Sequence, residues 1–313
     1  MVQSSRLHGW MLLFLVFLSG CSMFQTAEVG SKKEIHDDNR AAGREDGGVR
    51  KRMMVLPFLD SSVSRGQDLR DEAREEFIRE INRTRSIVAV DSTDLKVDFS
   101  KNIKNGEYDM SAIAKPAGAL GVQAILEGKL LNLSVKRMAD PVGIFRQVKT
   151  KFEAQARIRI FTARSGREIF NTVKTVTLEE ANVRVAERVD SDRFLTNNPE
   201  LVRKLVQEAF LDFTPQIMAA LDKMSWEGRI AMVNGDRIFL NVGMVSGLQI
   251  GDILKVSEDG DEIYDPQTGN YIGKTPGRMK GTLEVVSYFG QDGAISIIHS
   301  GSGFRESDRI ELY

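Results

Sequence analysis

The only thiol in this chain of 313 residues is Cys21, and the residues leading into it, Leu18, Ser19 and Gly20, include two small ones directly before the sulfur. A cysteine acts as a nucleophile only when a positioned base activates it, and a lone cysteine cannot form an internal disulfide. Bases are scarce: the three histidines are His8, His36 and His299, the last beside Ser300. No two of them can be expected to converge on a metal, and His299 reads as a strand-edge surface residue. Neither a GxxxxGK phosphate loop nor a GxGxxG turn occurs. Asp265-Pro266-Gln267-Thr268-Gly269 offers acid, hydroxyl and glycine together, but too few carboxylates for a calcium loop. It reads as a hairpin turn, with Pro266 presetting φ and Asp265 bonding the backbone two residues on. The expectation is therefore no catalytic, metal-binding or cofactor-binding residue and no enzyme activity. Glycosidase-type use of paired carboxylates stays open because the chain holds 44 acids.

The setting of Cys21 gives it a different chemistry. Trp10 to Leu18 is uncharged and mostly apolar, Arg6 precedes it, and small residues close it; this is the layout of a secretory signal. The run is too short to span a bilayer, which takes about 20 apolar residues. A simple secretory signal with Cys21 near the cut is the plainer alternative. Leu-Ser-Gly-Cys resembles the bacterial lipobox, and that resemblance implies acylation of the Cys21 sulfur, cleavage between Gly20 and Cys21, and a mature chain starting at Cys21. Position two is Ser22, where inner-membrane retention in enteric lipoproteins uses aspartate. The resemblance thus implies the inner leaflet of the outer membrane, facing the periplasm, with surface exposure left open.

Cleavage there removes Arg6 and no acid, leaving 42 basic and 44 acidic residues, a balance that excludes a polyanion-binding or nucleic-acid role. A hydrophobic content of 42% with 28% charged residues fits globular domains, and the roughly 260 residues beyond the tether suit two of them. Residues 21–52, "GSKKEIHDDNRAAGREDGGVRKR" among them, lack apolar periodicity and read as a lipidated flexible stalk. Arg50, Lys51 and Arg52 at its end read as a solvated charge run.

A first domain is expected over 53–224. "MMVLPF" predicts a buried strand closed by Pro57, and Leu69, Ala73, Phe77 and Ile81 recur every four residues as one stripe of a helix. "SIVAVD" predicts a second strand, and Ala112 to Leu120 a helix that Pro116 must end or bend. "VQAILEGKLLNLSV" predicts a third strand. Phe152, Ala154, Ala156, Ile158 and Ile160 alternate with polar residues, and Ile169 to Leu178 returns after "ARSGRE" as the antiparallel partner. Asn198 and Pro199 start a helix whose apolar face runs through Val202, Leu205, Ala209, Phe213 and Ile217 to Leu221, kinked at Pro215. The fold class is α+β or α/β with a mixed sheet.

A second domain is expected over 225–313, where short strands punctuated by glycine argue a small β-barrel. Gly235-Asp236 is its first hairpin turn, and Trp226, Ile230, Ile238, Leu240, Val242, Ile253, Leu254 and Val256 are its candidate core.

"MMVLPFLDSS", "SIVAVD" and "GALGVQAILEGKL" resemble the α/β domain shared by curli-secretion lipoproteins, the amino-terminal domain of TolB and the middle domain of flagellar assembly protein T. "NVGMVSGLQIGDILKV", "DPQTGNYIG", "GTLEVVSYF" and "DGAISIIHSG" are similar to the carboxy-terminal SH3-like domain of flagellar assembly protein T. The resemblance implies a non-enzymatic scaffold or assembly factor, with the membrane through Cys21 and envelope or flagellar ring proteins as partners. A homo-oligomeric ring is a further implication. The alternatives are a curli-type secretion pore subunit and a regulator of a peptidoglycan synthase. A pore needs strands with a lipid-facing apolar side, and Asn171, Lys174, Thr175 and Thr177 with Ala154 and Ala156 make a poor one.

Overall fold

The computed structural model describes residues 48–62, 65–95, 98–139, 148–182, 198–260, 262–268 and 271–313. Gly20, Cys21 and most of the expected stalk lie outside the described residues.

The parallel core comes from two strand–helix–strand units. β1 (Lys51–Val55) ends before Pro57, and β2 (Leu59–Asp60), α1 (Gln67–Arg83) and β3 (Ile87–Asp91) follow. Ala73, Phe77 and Ile81 of α1 are fully buried, as the four-residue spacing predicts, and Leu69 packs beside them. The chain then makes a two-residue pair, β4 (Ile103–Lys104) with β5 (Glu107–Tyr108), before α2 (Met110–Ala119) and β6 (Ala124–Ala139). β1 pairs in parallel with both β3 and β6, and β2 extends the pairing along β6. β7 (Val148–Thr162) and β8 (Glu168–Asn182) continue antiparallel, so the order across the sheet is β3-β1-β6-β7-β8.

Helices cover both faces unequally. α1, α3 (Pro199–Leu211) and α4 (Thr214–Asp222) cover one face, over Met53, Val55, Leu126, Leu130 and the inward residues of β7. Phe152, Ala154, Ala156, Ile158 and Ile160 are all fully buried there, so this side is core and presents nothing to lipid. α2 covers the other face over β1, β6 and the end of β7, against Met54, Leu56, Ile125 and Phe161. Beyond it the outer face is polar, carrying Arg157, Arg159, Asn171 and Thr175.

Two prolines behave differently from the simplest expectation. α2 runs through Pro116 and stops three residues later, where the Leu120 amide donates to the Pro116 and Ala117 carbonyls. The expected single kinked helix is two helices. α3 ends at Leu211, the Phe213 amide donates to Phe210 O, and Pro215 falls in the first turn of α4, where its missing N–H costs nothing.

Gly128 in β6 is a packing requirement. A Cβ there would lie 2.6 Å from the Phe58 ring and 3.1 Å from that of Phe210, and those rings stack with centroids 4.1 Å apart. Gly128→Ala is therefore expected to destabilise by about 1–3 kcal/mol through overpacking, read as a lower urea midpoint with an unchanged m value.

The remaining strands close on themselves. β9 (Gly228–Asn234), β10 (Arg237–Leu240), β11 (Ile253–Ser257), β14 (Met279–Phe289), β15 (Gly293–Gly301) and β16 (Arg309–Leu312) form a barrel in the order β10-β15-β14-β11-β16-β9. Gly235 and Asp236 form the β9–β10 turn. β12 (Glu262–Tyr264) and β13 (Tyr271–Lys274) make a separate hairpin, in which Asp265 Oδ1 accepts from the Gln267 and Thr268 amides, as the turn reading requires. Of the expected core, Trp226, Ile230, Ile238, Leu240, Val242, Leu254 and Val256 are buried, while Ile253 is half-buried.

Candidate functional site

The segment expected to be a solvated charge run is the joint of the molecule. Sheet and barrel belong to one compact unit, Asp46–Tyr313, and the chain enters it between them. The Arg50 amide donates to Ser246 O at 2.9 Å, and Trp226 Nε1 donates to Arg50 O at 3.2 Å. One residue later the chain is part of the sheet. Arg52 sends Nη1 to Asn241 O at 3.1 Å, and its side chain keeps only 14% of its exposure. Desolvation lowers the Arg52 pKa, opposed by Asp292, whose carboxylate lies 4.0 Å away. The solvated reading fails for the Arg52 side chain, and the Arg50 backbone is tied down as well, because their partners lie some 180 residues further along the chain.

Gln123, at the start of β6, completes the joint. Its Oε1 accepts from the Arg52 amide at 3.2 Å and its Nε2 donates to Glu227 O. Arg164, in the β7–β8 turn, reaches Asp259 at 3.3 Å, and Arg229 reaches the same carboxylate at 3.4 Å. An open cleft of about 810 Å³ runs along this joint, with Arg167, Glu168, Phe170, Lys223, Met224 and Glu311 in its wall. Mixed charge beside an apolar strip suits a peptide or a protein loop rather than a single small anion. His299, the one histidine among the described residues, lies on β15 with Nδ1 3.1 Å from Thr282 Oγ1 and does not line the cleft. Among the described residues no cluster of three or more histidine, cysteine or carboxylate groups could hold a metal ion.

The second charged cluster sits on the outer face of β6 and β7. Glu127 is fully buried, and its carboxylate accepts from Arg159 Nε at 2.9 Å, Arg159 Nη2 at 2.8 Å, Arg157 Nη2 at 3.3 Å and the Tyr108 amide at 3.1 Å. Glu107 joins through Arg157 at 2.6 Å and Arg159 at 3.1 Å, and the hydrogen bond from Arg157 holds its pKa below the usual range. Burial, followed by the nearby Glu127 charge, pushes the Tyr108 hydroxyl pKa well up; that hydroxyl donates to Pro57 O at 3.0 Å. Every member faces a partner of opposite charge or a backbone group, so the cluster braces the β5 segment against the sheet. A single acid inside the apolar run "AILEGKLL" was the signal that could have found it.

Asp109, the N-cap of α2, gives a pH test. Hydrogen bonds from Lys104 and Ser111 hold its pKa at about 2, against about 3.9 in an unfolded chain. Ionised Asp109 thus favours the folded state above about pH 4, and that contribution fades as the pH falls towards 2. Asp109→Asn should be less stable than the parent at pH 6 and draw level with it near pH 2, as urea melts across that range would read.

No protein family matches the chain, and no curated protein does. Among solved structures, CT253 from Chlamydia trachomatis is similar at 14% identity over 55% of this chain and 98% of that one, with a TM-score of 0.34. Lipoprotein GNA1162 from Neisseria meningitidis is 12% identical over 49% and 96% of the two chains, TM-score 0.30. The LpoB C-terminal domain from Salmonella enterica is 11% identical over 45% and 91%, TM-score 0.27. None of these matches is a flagellar assembly protein T.

Proposed function

We propose that the chain is a non-enzymatic protein of the bacterial envelope, anchored through acylated Cys21 on the periplasmic face of the outer membrane. It works by binding, as a scaffold or assembly factor of a flagellar basal-body ring or another envelope ring. The observation that carries this reading is the clamped entry strand. Whatever holds the chain upstream of Gly48 is connected through Arg50 to the barrel and through β1 to the sheet, so a lipid at Cys21 would fix both parts at once.

Tethering confines the search for partners and raises effective concentration without new contacts. The barrel at residues 228–312 supports the resemblance drawn from that segment, and the mixed-charge cleft supports protein partners. The edge strand β8, 15 residues long with β7 as its one neighbour in the sheet among the described residues, offers an edge on which copies could assemble. Against a pore, the apolar side of β7 and β8 is spent on α3 and α4.

Crosslinking intact envelopes and purifying the chain tests the reading. Recovery of flagellar or other envelope ring proteins is expected. Co-purification of a cell-wall synthase alone, or ion conduction by a detergent-solubilised ring in planar bilayers, would overturn it in favour of a synthase regulator or a pore.

A further inference from the structure

We infer that one end of the barrel, built around the 243–252 loop, is a bilayer-contacting surface that seats the protein on the leaflet holding its anchor. The inference rests on the Cys21 anchor reading. Met244 and Ile250 are the most exposed large apolar side chains among the described residues, at 64% and 62%, and Val245 in the same loop is 40% exposed. Two more exposed apolar side chains belong to this end. Phe289 closes β14 opposite Gly293, a residue against which Gly243 packs too closely for a Cβ. The Tyr313 amide donates to Ile253 O, directly after the loop. An apolar set that includes an aromatic ring and a phenol is the composition that settles at a membrane interface.

Where the chain enters decides what covers this end. Gly48 lies against Gly247, leaving no room for a Cβ there, Val49 packs on the barrel core, and Arg50 bonds Ser246. The route from Cys21 therefore arrives at this same loop. Only residues 22–47 separate Cys21 from this entry. Two acids at this end are engaged by backbone amides of the loop. Asp292 accepts from the Gly243 and Ser246 amides at 2.9 Å and from Ser246 Oγ, and Asp252 accepts from the Gln249 amide at 2.9 Å. Their carboxylates are held by the loop's own backbone, and Arg52, 4.0 Å from Asp292, offsets the charge of that acid towards anionic headgroups.

The full lipidated chain in phosphatidylethanolamine–phosphatidylglycerol vesicles provides the test. Acylation consumes the sole native thiol, so Met244→Cys and Ile250→Cys can each be labelled with a polarity-sensitive thiol probe. Ile272→Cys on the β12–β13 hairpin and Met232→Cys on β9 serve as controls, since Ile272 is 60% and Met232 42% exposed. Probes at 244 and 250 should shift to the blue and be quenched by acyl-chain-brominated lipid, and those at 272 and 232 should be quenched by aqueous iodide instead. Vesicle flotation separates the two levels of the argument: a chain that does not float defeats the anchor. A chain that floats with 244 and 250 open to iodide overturns this inference. Shielding that appears only after envelope proteins are added would also overturn it, giving the surface to a protein partner.

Discussion

Glu127→Ala is expected to lower the unfolding free energy by about 3–5 kcal/mol, the usual result of removing one partner from a buried charge cluster. The carboxylate has no exposed surface and takes four hydrogen bonds, and its loss leaves Arg159, at 13% exposure, without its main counter-charge. The Tyr108 amide loses its acceptor as well, and an unsatisfied buried donor costs about 1–3 kcal/mol by itself. At about 2–4 °C per kcal/mol for a chain of this size, the melting temperature should fall by about 10 °C. Glu127→Gln keeps acceptor capacity and loses charge, so it should fall between the two. A change below about 1 kcal/mol for Glu127→Ala would mean that the cluster rearranges with water and braces nothing.

Replacing residues 1–21 with an ordinary cleavable secretory signal, which removes both the apolar leader and Cys21, should move the protein almost wholly from the membrane to the soluble fraction of the periplasm. Each buried methylene contributes about 0.8 kcal/mol, so several acyl chains hold permanently where one binds only marginally. The apolar side chains around Met244 and Ile250 cannot substitute for that anchor, because their contact is small and reversible. Fractionation after a carbonate wash reads the difference. A chain exported without Cys21 and its leader that stays in the washed membrane would place the anchoring elsewhere.

The sequence-level expectations succeeded where one element's pattern decides its own burial. The strict alternation at Phe152–Ile160 marks a sheet buried on one side, and the four-residue recurrence of Ala73, Phe77 and Ile81 marks a helix over it. Turn chemistry was equally local at Gly235-Asp236 and at Asp265. The misreadings come from groups whose partners are far along the chain. Arg52 looks like a solvated charge until Asn241 is brought to it, the Arg50 carbonyl gains its partner only when Trp226 arrives, and Gln123 shows its role only once Glu227 lies beside it. Pro215 carries the signal of a helix boundary, but whether it kinks or restarts the helix depends on Phe213 sinking into the core between the two segments. The cleft along the joint has no sequence signature at all, because its walls come from β7, β8, α4 and the barrel together.

The account turns on the covalent state of one sulfur, and mass spectrometry of the amino-terminal peptide of the purified protein measures it directly. The account predicts a peptide that begins at Cys21 and carries acyl chains, with nothing upstream of it. A peptide retaining Gly20, or an unmodified Cys21 thiol, would contradict it.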